Sequence, residues 1–165
     1  MGEVRPIVIA PDPVLRAPCA PAGEMGFAPL RNLVADLFET MYAARGRGLA
    51  APQIGVSRRV FVMDEGWKRG EPSPLVLIDP DLRRRSRKTE CAVEECLSIP
   101  GHPVEMRRPV SVTVAFFDQN GVALELTLDG IAARIAQHEL DHLNGVLIGD
   151  APARPAPTSS RKTRG

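Results

Sequence analysis

Aromatic side chains are scarce in this sequence of 165 residues, which contains five Phe, one Tyr and one Trp. So few rings argue against a surface that stacks bases, and we expect no sequence-specific nucleic-acid binding. Net charge is nearly absent, since 21 Lys and Arg face 20 Asp and Glu. No apolar run approaches the ~20 residues of a membrane span, and the N-terminus lacks the apolar stretch of a signal peptide. These absences predict a cytoplasmic protein without membrane contact.

Cysteine is also rare, with Cys19, Cys91 and Cys96 as the three examples. An odd number cannot form a closed disulfide framework, which favours a reducing compartment. At least one thiol is therefore left for packing, metal binding or catalysis. The five-residue step from Cys91 to Cys96 is not the spacing of a zinc knuckle.

The few charges in excess are unevenly distributed along the chain. Residues 151–165 contain four basic residues and no acid, which leaves 17 basic against 20 acidic residues in 1–150. This tail is rich in Pro and Ser and has almost nothing apolar to bury, so we expect it to be extended or disordered. Residues 1–150 have the length of a single domain with one core.

Hydrophobic periodicity predicts two helices separated by strands. Apolar residues at alternating steps of three and four predict a helix from about Pro29 to Ala44. A second helix is predicted from about Gly130, with Asp129 as its cap, Ile131 and Ile135 among its buried residues, and an end at Asn144-Gly145. Strands are predicted at Ile7–Ala10, Val60–Met63, Leu75–Ile78, Pro109–Phe117 and Val122–Thr127, the last two joined by a hairpin at Asp118–Gly121. Strands followed by one late helix indicate an α+β fold.

The strongest chemical signal is the run His138-Glu139-Leu140-Asp141-His142. On a helix, positions i and i+4 share one face, so both imidazoles can reach one metal ion. Glu139 then lies beside the site, where it can take a proton from water. Because the chain has only three His, two at this spacing favour a metal site over a solvated helix face. The third, His102, lies in a Pro-Gly-His-Pro segment that we interpret as a turn.

Two histidines leave the proposed site incomplete, because a hydrolytic metal commonly has three protein ligands. No His follows His142, and Asp150 is the only acid after it, so a third ligand has to come from upstream. Cys96 is the candidate, although a lone cysteine is also typical of a small buried hydrophobe. Asp141 and Gln137 are candidates for hydrogen bonds that orient the histidines, with a solvated helix face as the alternative.

Three motifs in this order resemble those of the bacterial peptide deformylases: GRGLAAPQ at 46–53, EECLS at 94–98 and QHELDHLNG at 137–145. With the early run at 11–16 and the turn at 118–121, the resemblance covers roughly residues 5–147. It implies an α+β fold in which antiparallel or mixed sheets pack around a central helix that carries HExxH. It also implies a hydrolase that removes the N-formyl group from the N-terminal formylmethionine of nascent polypeptides and releases formate.

The resemblance further implies a ligand set of Cys96, His138 and His142 for one divalent metal. In this family the metal is usually Fe²⁺, with Zn²⁺, Ni²⁺ or Co²⁺ as substitutes. Glu139 would take the proton of the attacking water and pass it to the leaving amine.

The remaining roles implied by the resemblance concern the oxyanion and the peptide. The side-chain amide of Gln53 and the backbone N–H of Leu97 would stabilise the developing oxyanion. Gly46 and Gly48 would let the loop backbone pair with the peptide as an added strand. Ile135, one turn before the first histidine of HExxH, could line an apolar pocket for methionine.

Two charged residues depart from the family pattern. Glu95 stands where the second motif normally has glycine, next to the substrate, and Arg47 stands between two glycines where an apolar residue is usual. The two side chains could form an ion pair across the cleft, or each could point outward. These departures leave open a deformylase-like protein with lost or altered activity. A small HExxH metallopeptidase is a further alternative.

A non-enzymatic alternative depends on the basic run Arg83–Lys88 and the basic tail 151–165. Charge runs are usually solvated and few aromatics accompany this one, so it is weak as a primary nucleic-acid module. As an accessory, these segments could hold an enzyme weakly at the ribosome, where nascent chains are its substrates.

Overall fold

The computed structural model describes residues 1–150, so the predicted extended tail, 151–165, lies outside the described residues. Two α-helices are present within 1–150, α1 at Phe27–Ala43 and α2 at Gly130–Leu143. The strands are β1 (Gly48–Ala50), β2 (Val60–Asp64), β3 (Pro74–Arg85), β4 (Thr89–Cys96), β5 (Ile99–Pro109), β6 (Ser111–Phe117) and β7 (Ala123–Asp129). Short 3₁₀ turns include Ala51–Ile54 and Trp67–Arg69.

The strands form two antiparallel sheets. Five of them make one sheet in the order β1-β2-β3-β6-β7, and β4 and β5 form a separate hairpin. The strand β1 is an edge of the larger sheet, so one side of its backbone is open for another strand. The architecture is α+β, as predicted.

The core lies on both faces of the larger sheet. All five residues of β2 are buried, and successive side chains of a strand point to opposite faces. Phe61 and Met63 pack with α2, whereas Val60 and Val62 pack with α1. The predicted apolar stripe of α1 is confirmed, since Leu33, Val34, Leu37 and Met41 are buried. The sheet thus holds α2 between itself and the β4–β5 hairpin.

The predicted bounds of α2 are confirmed, but two details are wrong. The Asp129 side chain makes no capping hydrogen bond, because β7 runs directly into the helix and the N–H of Gly130 donates to Val110 O. Ile131 was expected to be buried and is 47% exposed, because it faces a cleft rather than the sheet. Ile135 is buried, as predicted.

Other sequence predictions need correction. Residues 7–10 form no strand; instead, Val8 N–H donates to Gln53 O and Ala10 N–H donates to Ser98 O, so the segment bridges two elements without pairing along either. His102 lies in β5 rather than in a turn, and it is exposed. Neither helix of residues 1–150 is long and apolar enough to span a membrane.

Candidate active site

The helix α2 and the end of β4 bring two histidines and one cysteine together. His142 Nε2 lies 3.2 Å from His138 Nε2 and 3.4 Å from Cys96 Sγ. All three ligand atoms are within 4.8 Å of one another, and His142 and Cys96 are buried. The spacing of four residues puts the two histidines on one face of α2, and the end of β4 places the Cys96 thiol next to them.

These three donors fit a divalent cation. Metal–ligand bonds of about 2.1 Å to nitrogen and 2.3 Å to sulfur at tetrahedral angles separate ligand atoms by about 3.4–3.6 Å, close to the distances observed here. Burial lowers the pKa of His142 to about 3, with His138 and Arg108 adding to the effect, so this imidazole is neutral and able to ligate. Burial also lowers the pKa of His138, but Cys96, Glu94 and Glu139 outweigh it and raise that pKa to about 10, so His138 has to release a proton when it binds a metal. One thiolate with two imidazoles is a borderline-soft set that suits Fe²⁺, Co²⁺, Ni²⁺ or Zn²⁺.

A buried ionic network orients the first histidine. The carboxylate of Glu94 accepts hydrogen bonds from Arg108 Nε (2.5 Å), Arg108 Nη2 (2.8 Å) and Arg134 Nη1 (2.7 Å). Its Oε1 also lies 3.0 Å from His138 Nδ1, which directs Nε2 of that ring at the thiol and His142. Burial opposes ionisation of Glu94, but these bonds outweigh it and lower its pKa to about 2.

Asp141 and Gln137, the two residues predicted to orient the histidines, bind other groups. Asp141 accepts a hydrogen bond from Arg108 Nη1 at 2.9 Å, and Gln137 donates to the carbonyl oxygens of Pro109 and Ala133. Neither side chain forms a hydrogen bond with a histidine within residues 1–150, so that expectation is wrong. The prediction missed Glu94, although it lies two positions before Cys96, a spacing that puts both on one face of a strand.

Glu139 lies buried beside the ligand cluster. Its Oε2 has no hydrogen-bond partner within residues 1–150, and burial raises its pKa to about 7 against the opposing charges of His138 and Arg108. A carboxyl group in this state can both accept and return a proton near neutral pH. Gly48 lies against this carboxyl group, and a Cβ at position 48 would be 2.6 Å from Glu139 Oε1. Only glycine at this position therefore leaves room beside Glu139.

The side-chain amide of Gln53 is directed at the ligand cluster. Ala50 N–H donates to Gln53 Oε1 at 3.0 Å, which turns the Gln53 Nε2 amide towards Ser98 Oγ and Cys96 Sγ, at 3.2 and 3.9 Å. No hydrogen bond within residues 1–150 uses the backbone N–H of Leu97. A Cβ on Gly46 would lie 2.9 Å from the Leu97 side chain, so this loop and the β4–β5 turn are in close contact.

These groups lie in one open cleft of about 760 Å³. Its floor includes Glu139, His138 and Cys96, and its walls come from the loop before β1, from β4 and from one face of α2. Ile135 and Ile131 give the α2 side an apolar character. The cleft therefore contains a candidate metal site, a proton acceptor and amide groups, and it lies beside the edge strand β1.

Comparison with known proteins agrees with this geometry. The family model described as polypeptide deformylase matches residues 4–157. The chain is 44% identical over 147 residues to the peptide deformylase of Rhizobium meliloti, covering 89% of this chain and 84% of the relative. The chain belongs to the peptide deformylase family. Members of this family are hydrolases that remove the N-formyl group from the N-terminal formylmethionine of nascent polypeptides.

Solved structures of peptide deformylases share the fold. The crystal structure from Thermotoga maritima has a TM-score of 0.82 and 41% identity, covering 88% of this chain and 95% of that one. A Met-Ala-Ser-bound deformylase from Acinetobacter baumannii has a TM-score of 0.81 and 30% identity, covering 89% of this chain and 97% of that one.

The two departures from the deformylase pattern leave the cleft open. Glu95 is exposed at a bulge in the β4–β5 pairing, and the non-glycine residues with positive φ in 1–150 are Arg45 and Asp79, so Glu95 has an ordinary backbone conformation. Arg47 is also exposed. No ion pair joins Arg47 and Glu95 in the described part of the chain, so the ion pair considered from the sequence is not formed.

Proposed function

We propose that this chain is an active deformylase whose reaction takes place at the cluster of Cys96, His138, His142 and Glu139. The observation that carries the proposal is the buried, unpartnered Oε2 of Glu139, next to three donors that fit one cation. A buried polar atom without a partner is costly, so its presence argues for a bound group or water in the working enzyme.

The edge strand β1 supports the proposed mode of peptide binding. An extended peptide can add to an open edge through backbone hydrogen bonds. Because Gly48 carries no Cβ, such a peptide could approach Glu139 closely. The methionine side chain would then contact Ile135 and Ile131, whose apolar atoms line the cleft.

Side chains of this protein would carry out the proton transfer and stabilise the developing charge. We assign Glu139 as the base that takes a proton from the attacking water and returns it to the leaving amine. The Gln53 amide and the Leu97 N–H would donate hydrogen bonds to the formyl oxygen as it gains negative charge. Glu94 would keep the His138 ring in place throughout.

Cys96, His138 and His142 would hold the divalent cation, which we propose to be Fe²⁺ in the cell, with Zn²⁺, Ni²⁺ or Co²⁺ as substitutes. Such an ion supplies Lewis acidity and lowers the pKa of a nearby water molecule. Metal analysis of anaerobically purified protein tests its identity, and a Cys96→Ala variant should lose most of the bound metal.

The competing functions are separated by product analysis. We expect formate from formyl-Met-Ala-Ser and no free amino acids from unformylated Met-Ala-Ser. Glu139→Gln should reduce the formate rate by about 10²–10⁴-fold while it still binds metal, because only the proton transfer is lost. Formate release by Glu95→Gly but not by the parent would support the lost-activity alternative, and release of amino acids would support a metallopeptidase.

The substrates arise at the ribosome, so we propose that the enzyme works in the cytoplasm on nascent chains. The basic run Arg83–Lys88, which covers the end of β3 and the turn into β4, is exposed apart from Ser86, and this supports a weak accessory contact with the ribosome. Neutralising these basic residues should slow deformylation of ribosome-bound chains at low salt without slowing that of free peptides. Equal rates on ribosomes would contradict this accessory role.

A further inference from the structure

Four charged side chains line the mouth of the cleft apart from the catalytic cluster: Arg45, Arg47, Lys68 and Glu95. All four are exposed, and none takes part in an ion pair within residues 1–150. We call them the mouth cluster. It carries three positive charges against one negative charge.

The other charges of the cleft wall are already balanced. Arg134 is bound by Glu94 at 2.7 Å, and Glu90 lies 3.8 Å from Lys88. Apart from Glu139 on the floor, the unpaired charges of the cleft within residues 1–150 therefore belong to the mouth cluster.

The mouth cluster gathers around the N-terminal end of β1, the open edge strand of the larger sheet. Arg47 is flanked by Gly46 and Gly48, whose backbones approach the β4–β5 turn and Glu139. Trp67 Nε1 donates to Gly46 O at 2.8 Å, which ties the 3₁₀ turn carrying Lys68 to the same loop. The Lys68 ammonium lies 5.7 Å from the centre of the Trp67 ring, so it too stays at this end.

The charges of the mouth cluster act on one another. Partial burial lowers the pKa of Lys68, the positive charges of Arg47 and Arg45 lower it further, and Glu95 opposes the change. Like charges gathered without a counter-ion repel each other, and an anion placed among them relieves the repulsion.

We infer that the mouth cluster selects formylmethionyl peptides with an acidic side chain in the two positions that follow methionine. The inference rests on the proposed function, because the occupant of this cleft is then a peptide, whose carboxylate side chains can face these cations. Arg47 provides the charge where the family pattern has an apolar residue. A lysine in the same positions would meet net repulsion.

The expected preference is moderate and depends on salt. Exposed ion pairs contribute little singly, so three cations facing a side chain that changes from Glu to Lys should alter kcat/KM by about tenfold. Screening at 1 M salt, where the Debye length is about 3 Å, should remove most of this difference.

The experiment measures formate release by the metal-loaded full chain. The substrates are formyl-Met-Xaa-Ser and formyl-Met-Ala-Xaa, with Glu, Gln or Lys as Xaa, in low salt and in 1 M NaCl. The variants are Arg47→Gln with Lys68→Gln, and Glu95→Gln. The matched control is Arg69→Gln, which removes a cation from the same 3₁₀ turn, where it pairs with Glu65 and does not line the cleft.

We expect the order Glu, Gln, Lys for the parent at low salt, mainly through KM. The double variant should lose this order, Glu95→Gln should sharpen it, and Arg69→Gln should keep it. Equal kcat/KM for Glu and Lys peptides, or a preference that survives in the double variant, would overturn the inference while leaving the deformylase function intact. No formate from any peptide would instead refute the proposed function, and with it the inference.

Discussion

Replacing Glu94 by Gln should both destabilise the protein and weaken metal binding at the proposed site. The carboxylate is 7% exposed and binds two guanidinium groups, so its loss leaves Arg108 buried with Asp141 as its remaining anionic partner. Removing one partner of a buried ion pair costs about 3–5 kcal/mol. Because Asp141 remains, we expect a value near 3 kcal/mol, or a fall in Tm of roughly 6–12 °C for a chain of this length.

The same substitution removes the negative charge that faces His138 Nδ1 at 3.0 Å. Loss of such a support for a metal-binding histidine usually weakens metal affinity by about 10–100-fold. Urea unfolding in a metal chelator measures the stability change, and competition with a chromophoric chelator for Zn²⁺ measures the affinity.

Glu105→Gln is the matched control, because Glu105 is exposed on β5 and forms no ion pair within residues 1–150. We expect this control to change stability by less than about 0.5 kcal/mol. The reasoning would be refuted if Glu94→Gln cost less than about 1 kcal/mol and left Zn²⁺ affinity unchanged.

Two smaller perturbations test other parts of the account. Gly48→Ala puts a Cβ 2.6 Å from Glu139 Oε1, so formate release should fall by at least about tenfold with the metal still bound; an unchanged rate would contradict the close approach. The hydrogen bond from Arg16 lowers the pKa of Asp150 from 3.8, so this pair stabilises the protein above that pH and ceases to do so as pH falls through the lower folded value. Urea unfolding should therefore show Asp150→Asn less stable than the parent by under about 1 kcal/mol at pH 7, with the gap shrinking below pH 4; a gap that widens in acid would refute this.

The periodic and local features of the sequence were predictable, and the features formed by distant residues were not. The stripe of α1 and the HExxH spacing of α2 are visible in a window of a few turns. The β4–β5 hairpin was not predicted, because most of its side chains are exposed on both faces and give no alternation. The partners of Glu94 lie 14 and 40 residues away, and such ion pairs leave no local pattern.

The departures at Glu95 and Arg47 were visible in the sequence, but their consequences were not. A glycine position can mark a positive φ or a close approach, and only the structure shows that Glu95 has no positive φ and an exposed side chain. The sequence left open whether the two residues form an ion pair or each point outward; both belong to an unpaired cluster at the mouth of the cleft.

The most direct test of the central claim is the formate released from formyl-Met-Ala-Ser by anaerobically prepared, metal-loaded protein. We expect one formate per peptide consumed, and a rate about 10²–10⁴-fold lower for Glu139→Gln at equal metal content. No formate from the parent, or an equal rate for Glu139→Gln, would contradict the claim that this chain deformylates peptides with Glu139 as its base.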